Sequence, residues 1–218
     1  MTDSTHADPA TPPVKWSSII VSAYLPTLMS SLGYGAVIPL IPLTAVHIGA
    51  SAALAAAIAA LVGIGQIIGD VPAGWLVTKI GEKWSLVIAM LIDAVALVSM
   101  GLVHHLGSLA VAVFVNGMAG AVYGIARQNY LTVAIPYRYR ARALSTLGGV
   151  FRVGWFVGPM AGSWILREAS MSWAYGFASV ASVLAAAQTT VMPDLPTVEE
   201  QQTGGAAAAP KLTRSASP

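Results

Sequence analysis

Four ionisable residues stand where the chain is otherwise oil: Asp70, Asp93, Arg127 and Arg152 each interrupt a long apolar run. A charge at the centre of a bilayer costs at least ~2.5 kcal/mol on insertion scales, so such residues face a bundle interior or a cavity. Measured along a helix at 1.5 Å per residue, Asp70 and Arg127 fall roughly 10 and 8 Å from one membrane face. Asp93 and Arg152 both fall at roughly 13 Å, close to the midplane. Depth therefore permits two pairs, Asp70 with Arg127 and Asp93 with Arg152. One chemistry available to them is mutual neutralisation, a clamp between helices. The other is a transport site in which an acid exchanges a proton as a cavity opens. The shallower pair favours the clamp. Arg152, deep on a helix with a glycine face, favours function, and for Asp93 both readings stand.

Neutral polar residues in the same runs extend the candidate cavity: Tyr24, Ser30, Ser31, Tyr34, Gln66, Asn116 and Tyr123. Each is as well explained by an interhelical hydrogen bond, the commoner use of such residues in lipid. His104 and His105 are adjacent, so they point in different directions and suit a solvated turn rather than one metal. With no cysteine in the chain, neither a disulfide framework nor a Cys-based metal site exists. No metal and no cofactor is expected.

The elements that must hold these residues follow from composition. Of the 218 residues, 56% are hydrophobic and only 9% are charged, with a mean hydropathy of +0.71; soluble domains carry about 25% charged residues. Such a chain cannot cover a water-exposed surface, so the class is integral membrane protein, with the lipid bilayer as its first partner. The net charge of +2 is too small to imply nucleic acid. At about 20 apolar residues per crossing, six spans are expected: residues 16–45, 51–77, 84–103, 108–132, 143–166 and 171–192. The fold class is all-α, a polytopic transmembrane bundle over residues 15–192. A polar tail at 1–14 and a Pro-, Ala- and Gly-rich tail at 193–218 read as disordered and cytoplasmic. The first of these tails lacks the basic start and apolar core of a cleavable signal peptide.

Lys15, Lys79, Lys83, Arg138, Arg140 and Arg142 fall on one side of this six-span count and only Arg167 on the other. Excess Lys and Arg mark the cytoplasmic face, so both termini are expected inside a cell membrane. Trp16, Trp75 and Trp84 then lie at the inner interface, Trp164 and Trp173 at the outer one, levels that indoles prefer.

Small residues four apart mark helix contacts in lipid. Gly65 and Gly69, Gly120 and Gly124, and the stripe Gly154, Gly158 and Gly162 fit this pattern, the last with Pro159 inside it. Gly33, Gly35, Pro39 and Pro42 make the outer half of the first span irregular, which is tolerated beside protein or a cavity rather than lipid. The stretch "GWLVTKIGEKW" sits in the turn between the second and third spans, where Gly81 permits a tight bend.

Together these residues resemble the amino-terminal half of a major facilitator superfamily transporter, of the bacterial drug-efflux type. In "GWLVTKIGEKW", Gly74, Leu76, Lys79, Gly81 and Lys83 are similar to the family's loop motif, with Thr78 where the family usually has Asp. "GVFRVGWFVGPMAG" is similar to the helix-five antiporter motif, with Gly154, Gly158, Pro159 and Gly162 in place. "SLGYGAVIPLIPL" and "GDVPAGW" resemble the first two helices of efflux members. The family usually carries an Arg in the outer half of helix four; Asn116 lies near that place, and no proton role transfers to Asn116 or Arg127. The resemblance implies a transporter rather than an enzyme, exporting an unknown small molecule with proton coupling. It also implies a twelve-helix unit, so this half is expected to pair with a second six-helix half or a second copy.

Two other classes fit parts of the sequence. A non-transporting remnant or partner subunit of a split transporter fits the length. An intramembrane serine protease would use a Ser such as Ser51 in "GASA", but no His lies within a span to activate it.

Overall fold

The structure, a computed structural model, describes residues 23–135 and 137–191. The tails, Lys15, Trp16 and Met192 lie outside the described residues. The described residues are helical, in the order α1 (Leu25–Val37), α2 (Leu40–His47), α3 (Ala52–Leu102), α4 (Leu106–Ala134), α5 (Tyr137–Glu168) and α6 (Met171–Thr190). No strand occurs among them.

Each break has a local cause. Pro39 cannot donate to the helix ladder, and the expected first span stops at Val37 and restarts at Leu40. α3 opens on Ser51, whose side chain accepts from the Leu54 backbone N–H at 3.3 Å, an N-cap. Its 51 residues would run roughly 77 Å if straight, far more than the ~30 Å hydrocarbon core. Gly81, at φ 81° and ψ 166°, instead folds it into two arms. Val77 and Leu86 meet in one cluster near the bend, and Ile58 and Met100 in another at the far end. α5 begins at Tyr137 rather than near Ala143, and so carries Arg138, Arg140 and Arg142 on its first turns. That extension corrects the expected boundary: Arg140 Nε donates to the Ile135 carbonyl at 3.0 Å, so the arginines continue the helix instead of forming a loop.

Among the described residues, three stretches are long and apolar enough to cross a membrane: Leu25–His47, Ala52–Leu102 and Leu106–Ala134. The outer surface of the bundle exposes Ile67, Val71, Val95, Phe156 and Trp164, an apolar area that water would not solvate and lipid does.

α3 packs most extensively on α4 and α6, and α1 on α5 and α6. The buried positions of α5 explain its seam: Ala143, Leu147, Gly154, Gly158 and Gly162 recur at multiples of about four, one face of a helix. There a Cβ on Gly158 would lie 2.5 Å from the Leu32 carbonyl oxygen and 2.7 Å from the Ala36 nitrogen. Gly154 lies against Ser31, and Gly162 against Ala36. The backbones of α1 and α5 thus touch where only glycine fits. A second seam joins α3 to α4, with Gly65 against Phe114, Gly69 against Met118 and Gly117 against Val62.

Gly120 and Gly124 do not belong to a seam, contrary to the spacing argument. A Cβ on Gly120 would meet only the Gln66 amide at 3.5 Å, and one on Gly124 nothing within 4 Å.

Candidate functional site

What Gly120 and Gly124 leave open is a cavity of about 320 Å³, within the size of small-molecule sites. α1 supplies Ser30 and Tyr34. The first arm of α3 supplies Gln66 and Asp70, one turn apart, and its second arm Met90 and Asp93. α4 lines it with Gly120, Tyr123, Gly124, Arg127 and Gln128, α5 adds Phe151 and α6 adds Ser182. Tyr123 and Arg127 are four residues apart, hence on one helix face, and the two glycines continue that face without side chains.

The acids are handled differently. Asp93 Oδ1 accepts from the Asn116 amide and Oδ2 from the Ser182 hydroxyl, each at 2.6 Å. Three elements, α3, α4 and α6, are tied through one carboxylate. Arg152 is exposed on α5 and takes no part, so the depth-matched pair Asp93–Arg152 is not formed. Depth gives one coordinate, and rotation about each helix axis decides the rest. Asp70 is exposed and lines the cavity.

Arg127 is held between two rings, its guanidinium carbon 5.2 Å from the Tyr123 centroid and 5.0 Å from that of Phe151. Its Nε and Nη1 are buried and hydrogen-bond to nothing among the described residues. Asp70 and Arg127 therefore share a cavity without making an ion pair.

A polar chain runs along the α1 side. Gln66 donates to the Tyr34 hydroxyl at 2.9 Å, Ser30 to the Tyr123 hydroxyl at 3.0 Å, and Tyr123 to Thr27 at 3.4 Å. Tyr34, Gln66 and Tyr123 line this cavity. Asn116 is buried behind Asp93 rather than on the lining. Tyr24 belongs elsewhere: its hydroxyl reaches the Ala143 carbonyl at 3.4 Å within a cluster of Tyr130, Leu131, Ile135 and Leu147. Ser31 is buried at the α1–α5 seam and bonds its own helix.

Sequence reasoning missed Phe151 and Ser182. Phe151 sits next to Arg152 in an apolar run, and nothing in its type marks a cation platform. Ser182 is one of several small residues on α6 and is distinguished only by what it meets.

In the loop motif, Gly74 has open space around it and Gly81 makes the bend. Thr78 donates to the carbonyls of Gly74 and Trp75, so its hydroxyl is satisfied within its own helix. Lys79 Nζ lies 4.6 Å from the Trp75 ring centroid. Leu76 lines an apolar groove with Trp75, Ile88 and Met118. No cluster of three or more His, Asp or Glu able to hold a metal occurs among the described residues.

The architecture recurs in solved structures. A peptide transporter crystallised with sulfate superposes with a TM-score of 0.72 at 13% identity, over 87% of this chain and 42% of that one. A D-xylose-proton symporter gives 0.71 at 17% identity, over 88% and 52%. In sequence, an uncharacterised MFS-type transporter of Mycobacterium tuberculosis is 26% identical over 167 residues, 77% of this chain and 24% of the relative. The class H tetracycline resistance protein of Pasteurella multocida is 28% identical over 171 residues, 74% of this chain and 40% of the relative. The chain thus spans less than half the length of these curated relatives. The family model described as Major Facilitator Superfamily matches residues 23–216. By that match, and by a fold shared with carriers of known structure, the chain belongs to the major facilitator superfamily of multi-pass membrane transporters.

Proposed function

We propose that this chain is one bundle of a proton-coupled exporter of small molecules, and that its cavity is the substrate path. The observation that carries the reading is the convergence of Tyr34, Gln66, Asp70, Asp93, Tyr123 and Arg127 on one space inside an otherwise apolar bundle. Polar groups are costly at that depth and are kept where a path needs them. Asp93, Asp70 and Arg127 are the charges that act on substrate and proton. Arg152 lies on the exposed face of α5 and belongs to contact with a second bundle. The Gly74–Lys83 loop and the Gly154–Gly162 seam set how the helices bend and close.

In this reading the bundle crosses the membrane six times with both termini inside. It works with a second six-helix bundle, a further segment or a second copy, because alternating access rocks two units against each other. One relative is named for tetracycline resistance, and the symporter neighbour is named for proton coupling.

Tetracycline is the first probe. Added to inverted membrane vesicles holding an imposed pH gradient, it should move protons in the parent, and Asp93→Asn should abolish that movement. Drug-dependent proton movement that survives Asp93→Asn removes Asp93 from the coupling. Absence of movement across a panel of amphipathic drugs overturns the export reading.

A further inference from the structure

We propose that the cavity holds an anion subsite built on Arg127, which selects amphipathic small molecules carrying a carboxylate. This deepens the substrate-path reading above and rests on it.

A guanidinium is planar, and its five N–H donors all point outward from its edge. In this protein the guanidinium carbon of Arg127 lies over the rings of Tyr123 and Phe151, 5.2 and 5.0 Å from their centroids. Ring contacts of this kind hold a cation in place, yet they leave the edge unanswered. Nε and Nη1 are shielded from solvent and bond to nothing among the described residues. A buried charged donor without an acceptor is costly, so the arrangement is completed by an acceptor that enters from the cavity.

The other charges do not complete it. Both oxygens of Asp93 already accept bonds, from Asn116 and Ser182. Asp70 lines the same space but is exposed and makes no ion pair with Arg127. Arg127 is therefore a charged lining side chain whose buried donors meet no acceptor among the described residues, and the two rings hold its orientation before any ligand arrives. A carboxylate matches its fork geometry. The rest of the lining, with Met90, Ile125, Phe151 and the ring of Tyr34, suits an apolar or aromatic body, and about 320 Å³ limits that body to a small one.

The test uses the full chain in detergent and three probes of one shape: 2-naphthoate, 2-naphthylmethanol and 2-naphthylmethylammonium. Binding is read by calorimetry. The parent should bind 2-naphthoate roughly 10-fold or more tighter than the neutral alcohol, as expected for a charge-assisted hydrogen bond. Arg127→Gln should erase that preference, bringing naphthoate to the level of the alcohol, while Arg127→Lys should restore part of it. The comparison of probes on the unaltered chain stands even where a variant fails to fold. Equal binding of naphthoate and alcohol, or tightest binding of the ammonium, overturns the anion subsite and leaves the cavity as a substrate path. Binding of none of the three counts against both.

Discussion

Asp93 ties three helices through one carboxylate. Its carboxylate accepts one 2.6 Å bond on each oxygen, from Asn116 on α4 and Ser182 on α6. Ser182→Ala removes one of these donors and should lower stability by about 1 kcal/mol, the usual scale of a hydrogen bond between membrane helices. Reversible unfolding in mixed micelles measures it, and an unchanged midpoint would show that the bond contributes nothing. Asp70 and Arg127 make the opposite case. Their types and depths suggest a clamp, but Arg127 is held by Tyr123 and Phe151 and Asp70 is exposed. Asp70→Asn and Arg127→Gln should therefore act additively on stability, within about 0.5 kcal/mol. A larger coupling in a double-mutant cycle would mean that the pair forms after all. The sequence names all four charged residues, because charge in an apolar run is conspicuous. It cannot name Ser182 or Phe151 as their partners, since each residue turns a helix by about 100° and a small error in register changes the neighbour.

At the scale of helices, glycine has three different uses here that spacing alone does not separate. In the α1–α5 seam, the Cβ of Gly158→Ala would press on the backbone of Leu32, Gly35 and Ala36. Backbone cannot move aside as a side chain can, so a loss of about 1–3 kcal/mol is expected, the range for overpacking. Gly158→Leu should disrupt the bundle. Gly124→Ala, with nothing within 4 Å, should be neutral or slightly stabilising, since alanine is the better helix former. Gly81, at φ 81°, serves the bend itself, and Gly81→Ala should cost roughly 1–2 kcal/mol in the left-handed region. Melting of the three alanine variants in detergent gives the order, and a Gly158→Ala protein as stable as Gly124→Ala would contradict the seam. The Gly154–Gly162 stripe is legible because three glycines repeat at four residues around a proline. Gly120 and Gly124 repeat in the same way, yet they open a cavity. Only the approach of a second helix tells a seam from a hollow.

At the scale of the molecule, the bundle has an apolar outside and a hollow lined by polar and charged side chains. We propose from charge asymmetry that the side carrying Lys79, Lys83, Arg138, Arg140 and Arg142 is cytoplasmic. Reporter fusions after Lys83 and Arg142 should read inside, and one after His105 outside; an external signal at either of the first two reverses the orientation. The class and the all-α fold were legible from composition and run lengths, because a bilayer leaves few alternatives. The central claim, that the hollow is a water-reachable path, has a direct test because the chain contains no cysteine. Gly124→Cys places a thiol in the cavity where there is room for it, and Val95→Cys places one on the exposed apolar surface. Maleimide reacts with thiolate, which needs water. In sealed right-side-out and inverted vesicles, a membrane-impermeant maleimide should label Gly124→Cys from at least one side and leave Val95→Cys unlabelled. Failure to label Gly124→Cys from either side, with Val95→Cys equally silent, would contradict the path.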